Sequence, residues 1–204
     1  MIKNYIDLSY YQELADKTPE KICKKLSCIY DSQKKIYTIQ VWGDDYAIYL
    51  EEKKIEKISQ KGNKPHAFFP LFILYYLLNA KDIELLNEWI SEKELPGGNT
   101  FFRGPHKIPT HLISDKYNNQ VQQFKNKCEQ LGGVPFNEAD AAYVFNITSK
   151  IPVAVLFWDG DDDFPAESKI LFDKTIAEHL TSDIIFALTI EICSRIGSRY
   201  DYYD

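Results

Sequence analysis

Residues 141 to 173 read AAYVFNITSKIPVAVLFWDGDDDFPAESKILFD. AAYVFNIT and PVAVLFW have the β-branched and aromatic content of strands, and SKILF, beyond the acidic stretch, reads as a third. A second strand group lies earlier. IYTIQVWGDDYAIYLEE alternates around a Gly43-Asp44-Asp45 break, with Val41 and Trp42 before it and Tyr46, Ile48 and Leu50 after it, which predicts a β-hairpin. Ile55 to Ser59 predicts one more strand.

The segments around these strands carry helical signals. Thr18-Pro19 sets a cap residue before a first-turn proline, and the helix it opens ends near Ser27. A polar loop from Lys61 to His66 leads to AFFPLFILYYLL, where Pro70 fits the first turn of a helix ending near Asn79. Asp82-Ile83 predicts a short helix with Ile83, Leu86 and Ile90 on one face. From Ser114 to Leu131 the pattern predicts a single helix, because Tyr117, Val121, Phe124, Cys128 and Leu131 fall on one stripe, and Gly132-Gly133 stops it. Ser182 is read as the cap of a last helix, Asp183 to Ile196, apolar almost all round and therefore central to the core. Strand groups flanking a helical middle, without regular βαβ alternation, predict an α+β fold with a mainly antiparallel sheet packed by several helices. We read residues 1–204 as a single domain, with an N-terminal helix and hairpin over 1–60 and the core over 61–200.

Composition narrows the function. Thirty acidic against 24 basic residues give a net charge of -6, which disfavours nucleic acid, whose phosphates are met by Lys and Arg. The apolar run Ala67–Leu78 is shorter than the about 20 helical residues a bilayer core requires, so no membrane association is expected. No basic segment followed by an apolar stretch opens the sequence, and a cytoplasmic location is the expectation. Cys23, Cys28, Cys128 and Cys193 form no CxxC pair and read as buried or idle thiols.

Two stretches are candidate sites. Asp159, Asp161 and Asp163 sit at positions 1, 3 and 5 of an EF-hand-like loop, but Phe164 replaces its glycine and Ile170 its bidentate glutamate. Unit charges about 6 Å apart repel by about 0.7 kcal/mol in water, so a solvated acidic turn tolerates itself without a cation. The same three carboxylates remain candidate metal ligands for a metal-dependent hydrolase or transferase. In ELPGGNTFFRGPH, Pro96-Gly97 fits positions i+1 and i+2 of a type II turn. Pro96, Gly97, Gly98, Arg103 and His106 are there the candidate ligand-binding residues, as glycine N–H groups beside two basic side chains suit an anion. His66, His106, His111 and His179 lack metal spacing, and no motif indicates a cofactor.

ELPGGNTFF, CEQLGGVPF and DDDFPAESKILFD, three separated motifs in order, resemble the family described as domain of unknown function 3786, of anaerobic bacteria and archaea. The resemblance covers roughly residues 60 to 200. Its counterparts here are Leu95, Pro96, Gly97 and Gly98, then Gly132 and Gly133, then Asp163, Phe164, Pro165, Ala166 and Asp173. Some members carry a cysteine-rich iron–sulfur segment, which implies a link to anaerobic one-carbon and corrinoid metabolism; this chain has no such cluster. The expected role is a small-molecule or partner-binding accessory module, with the metal-dependent enzyme as the alternative.

Overall fold

The structure, a computed structural model, describes residues 7–59 and 64–198. It is an α+β arrangement with two antiparallel sheets. The first is a meander of β1 (Ile29–Asp31), β2 (Ile36–Val41), β3 (Asp44–Tyr49) and β4 (Lys54–Lys57) in sequence order. The second comprises β5 (Trp89–Ile90), β6 (Val134–Phe136), β7 (Ala141–Thr148), β8 (Ile151–Trp158) and β9 (Glu167–Asp173), ordered β5-β9-β8-β7-β6.

The 141–173 stretch builds the middle of this second sheet. β8 is central and nearly continuous in apolar residues because both its faces are covered. Val153, Val155 and Phe157 enter the main core, whereas Ala154 and Leu156 pack on the opposite face with Ala142. Register follows the antiparallel returns, with Ala141 opposite Phe157 and Val155 opposite Ile170.

Helices α1 (Ser9–Ala15), α2 (Pro19–Leu26), α3 (Phe69–Asn79), α4 (Gly98–Phe101), α5 (His111–Tyr117), α6 (Val121–Gln130), α7 (Ile176–His179) and α8 (Ser182–Ile196) complete the chain. α8 packs against α3, α5 and α6. Its Leu188, Ile190, Ile192 and Ile196 are fully buried, as its all-round apolar sequence predicts. Each such side chain contributes about 1.5–3 kcal/mol of burial. One cluster of buried residues joins α3 and α8 to both sheets, and the Trp42 N–H donates to Ile147 O at 2.8 Å where they meet.

Three expectations change. The hairpin turns at Trp42-Gly43, with Val41 opposite Asp44, so Asp44 and Asp45 belong to β3. Both turn residues have positive φ, 48° and 75°, the geometry that matches strand twist in a two-residue hairpin. The long helix is two: α5 ends at Tyr117 and α6 starts at Val121, with Asn119 at φ 57° between them. Periodicity survives this break because Tyr117, Phe124 and Cys128 are still buried. Finally, residues 81–88 form no helix. Their N–H groups are taken from elsewhere: Lys81 donates to His179 Nδ1 at 3.1 Å, while Leu86 and Asn87 donate to the Asp173 carboxylate at 3.3 and 2.6 Å. The polar loop read at Lys61–His66 lies partly outside the described residues. No helix among those described is long and apolar enough to cross a membrane.

Candidate functional site

The Leu-Pro-Gly-Gly loop has the expected turn. The Gly98 N–H donates to Leu95 O at 2.8 Å, and Gly97 sits at φ 72°, ψ 1°. Gly98 is dictated by packing, since a Cβ there would stand 1.9 Å from Glu92 O. The His106 ring stacks on Phe101 at 4.6 Å and meets the edge of Phe186 at 5.5 Å, so it is held by aromatic packing. Of the five predicted ligand residues, Arg103 lines a cleft. That cleft, about 500 Å³, brings Phe102, Arg103, Lys107 and Ile108 opposite Ala166 and Ile170. The loop therefore does meet the segment following the acidic turn, through its arginine and apolar residues.

The acidic turn directs its carboxylates at the backbone. Asp159 Oδ1 accepts the Asn119 N–H at 2.6 Å and the Gly160 N–H at 3.1 Å, which fixes the break between α5 and α6. Asp161 Oδ1 accepts the Asp163 and Phe164 N–H groups at 2.9 and 2.7 Å, and the Asp161 N–H donates to Phe164 O. These are the self-capping bonds by which short acidic side chains stabilise turns. Asp162 and Asp163 are exposed. Among the described residues, no group of three or more His, Cys, Asp or Glu could hold a metal ion.

A more elaborate site lies where the β2–β3 turn meets α8. Glu191 is 1 % exposed, yet its carboxylate accepts the Arg195 Nε–H and, through Oε2, the His66 N–H at 2.5 Å. Arg195 continues outward, donating from Nη1 to Asp44 Oδ2 at 3.0 Å and from Nη2 to Tyr46 Oη at 2.9 Å. Asp44 Oδ1 in turn takes Lys57 Nζ at 2.9 Å and the Ser59 hydroxyl at 3.0 Å. The guanidinium lies 4.9 Å from the Trp42 ring and 5.3 Å from that of Phe69, a cation–π position within a desolvated setting. Burial pushes the Glu191 carboxyl upward, against the pull of Arg195 and the His66 N–H. Burial likewise pushes the Tyr46 phenol up to about 12, keeping it neutral beside the guanidinium.

This network forms a wall of a cleft of about 510 Å³, whose lining includes Trp42, Lys57, Lys64, Lys127, Gly132 and Arg195. Lys64 and Lys127 have no carboxylate partner among the described residues. Trp42 is held in the left-handed region that costs a bulky residue of order 1–3 kcal/mol. Its main-chain bond to Ile147, an indole N–H bond to Leu131 O at 3.2 Å, and an edge-on contact with Phe145 keep it there. The strained Trp42 and the cations Lys57, Lys64, Lys127 and Arg195 thus share one concavity, with the buried Glu191 carboxylate bonded to Arg195 behind its wall. No local motif announces it, for Asp44 and Arg195 are 151 positions apart. The signals available in the sequence were Asp44 directly after the hairpin turn and a Glu191–Arg195 i,i+4 pair within an otherwise apolar helix.

The model of a family described as Domain of unknown function (DUF3786) matches residues 18–195, a span that takes in the hairpin as well as the later core. No curated protein and no solved structure matches the chain.

Proposed function

The chain belongs to the DUF3786 family, and from that premise we propose that it is a binding module for a small anionic molecule, seated at Arg195 between the first sheet and the C-terminal end of α6. The carrying observation is the cleft itself, in which, among the described residues, Lys57, Lys64, Lys127 and Arg195 face one lining carboxylate, Asp44. Arg195 and Lys57 are committed to Asp44, so they set the local field, and Lys64 and Lys127 supply charge for a ligand. A carboxylate or phosphate entering there meets charge-assisted donors worth about 1.5–3 kcal/mol each. Every residue in this reading falls within the family's matched span.

The test is calorimetric titration of the protein with inorganic phosphate, pyrophosphate and a panel of small carboxylates. Binding of at least one is expected, with the Lys64→Gln/Lys127→Gln double variant weakening it roughly tenfold or more at unchanged thermal stability. Arg103→Gln is expected to leave affinity intact. Loss of binding in Arg103→Gln alone moves the site to the loop cleft, and absence of heat with every anion overturns the reading.

A further inference from the structure

The widely spaced cysteines conceal a close pair. Cys23 Sγ and Cys28 Sγ are 3.0 Å apart, brought together by the way α2 ends. Ser27 turns left-handed at φ 53°, ψ 42°, and the Cys28 N–H returns to Cys23 O at 3.3 Å. That six-to-one bond across a left-handed residue is the Schellman arrangement, whose geometry sets the side chains at its two ends against each other. That contact is frequently a hydrophobic one. Here it is between two thiols, and they differ in access: Cys23 is half-buried, whereas Cys28 is buried at 8 % exposure. Burial and the bond to Cys23 push the Cys28 thiol upward. Cys128 and Cys193 are fully buried, with no sulfur partner among the described residues.

We infer that Cys23 and Cys28 are a reversible thiol–disulfide site, with Cys23 as the attacking sulfur and Cys28 as the resolving one. A disulfide bond of about 2.05 Å requires the sulfurs to approach by only about 1 Å, and the helix end already supplies their alignment. The oxidant is a small-molecule disulfide. The Cys23 thiolate attacks one of its sulfurs, a Cys23 mixed disulfide forms, and the first small thiolate leaves and takes up a proton. Cys28 then gives its proton to solvent and attacks the Cys23 sulfur, forming the Cys23–Cys28 bond and releasing the second small thiol. Two protein thiols lose two electrons, and one small disulfide becomes two thiols. The order follows from access, since the less buried sulfur meets the reagent first. The site is independent of the anion cleft and stands or falls separately from it.

The experiment incubates the folded full-length chain with oxidised and reduced glutathione at set ratios, quenches with acid, alkylates free thiols, and maps peptides by mass spectrometry. Expected is an internal Cys23–Cys28 disulfide without retained glutathione, fully reversed by dithiothreitol, while Cys128 and Cys193 remain alkylatable only after unfolding. Cys28→Ser is expected to trap glutathione on Cys23, and Cys23→Ser to trap none on Cys28. Two results on the unmutated chain overturn the inference: free thiols at a glutathione ratio that oxidises the urea-unfolded chain, or glutathione that stays on Cys23.

Discussion

The Arg195 cluster and the acidic turn both concentrate carboxylates, and they satisfy them by opposite means. Asp44 and Glu191 are withdrawn from water and matched by a guanidinium, an ammonium, a hydroxyl and a main-chain N–H drawn from distant segments. Asp159 and Asp161 stay near solvent and are matched by backbone N–H groups, three of the four accepted bonds coming from the turn itself and the fourth from Asn119. Local density of charge in a sequence therefore marks the region that least needs distant partners. Scattered charges that the fold buries together bear the larger energetic consequences, because a buried ion deprived of its partner cannot recover its hydration.

The largest expected effect tests that asymmetry directly. Arg195→Leu leaves Glu191 buried without its cation and is expected to cost about 3–5 kcal/mol, read as a shift in the urea unfolding midpoint. Adding Glu191→Leu to it should restore part of the loss, since a matched apolar pair no longer strands a charge. A cost below about 1 kcal/mol for the single variant would put this cluster in the class of surface ion pairs and erase the contrast.

His179 extends the comparison to pH. It is buried, its Nδ1 accepts the Lys81 N–H, and burial, reinforced by Lys150 and Lys81 against the opposing pull of Glu178 and Asp173, lowers its pKa from the ordinary 6.5. A proton on Nδ1 would set two donors against each other. Because the folded-state value is depressed, the stabilising contribution is complete above 6.5 and shrinks as pH falls below it, where the unfolded chain protonates first. His179→Gln is expected to flatten this part of the stability–pH curve, measured by urea unfolding at a series of pH values. An unchanged slope would show that His179 is not the titrating group.

The strands of 141–173 and the buried face of α8 were legible because their pattern reports burial directly. α6 was legible as a stripe, but its separation from α5 was not, since the Asp159 carboxylate that captures the Asn119 N–H comes from 40 positions away. The supposed helix at Asp82 failed for the same reason: Asp173 and His179 provide its N–H groups with acceptors that local propensity cannot anticipate. In the Leu-Pro-Gly-Gly loop the turn type was readable from Pro96-Gly97, whereas the role of Gly98 depends on Glu92 O, a tertiary contact. The cleft at Arg195 was least legible of all, since the hairpin turn, β4, Lys64, the end of α6 and α8 all contribute to it and none of them is unusual alone.

The smallest effects belong to the acidic turn, and they separate its residues from one another. Asp159→Ala removes the acceptor of the Asn119 and Gly160 N–H groups and is expected to cost about 1–2 kcal/mol, with the change centred on the α5–α6 break. Asp162→Asn and Asp163→Asn remove charge from exposed side chains that accept none of the turn's bonds, so each should fall within about 0.5 kcal/mol of the unmutated chain. Relief of like-charge repulsion makes the sign of that small shift favourable at low salt, and added salt should diminish it. Unfolding curves with a chelator and with added Ca²⁺, Mg²⁺ or Mn²⁺ complete the measurement. Stabilisation by a cation that disappears in Asp163→Asn would mean that these carboxylates are matched by an ion after all, and the turn would then join the Arg195 cluster as a site whose charges depend on a partner.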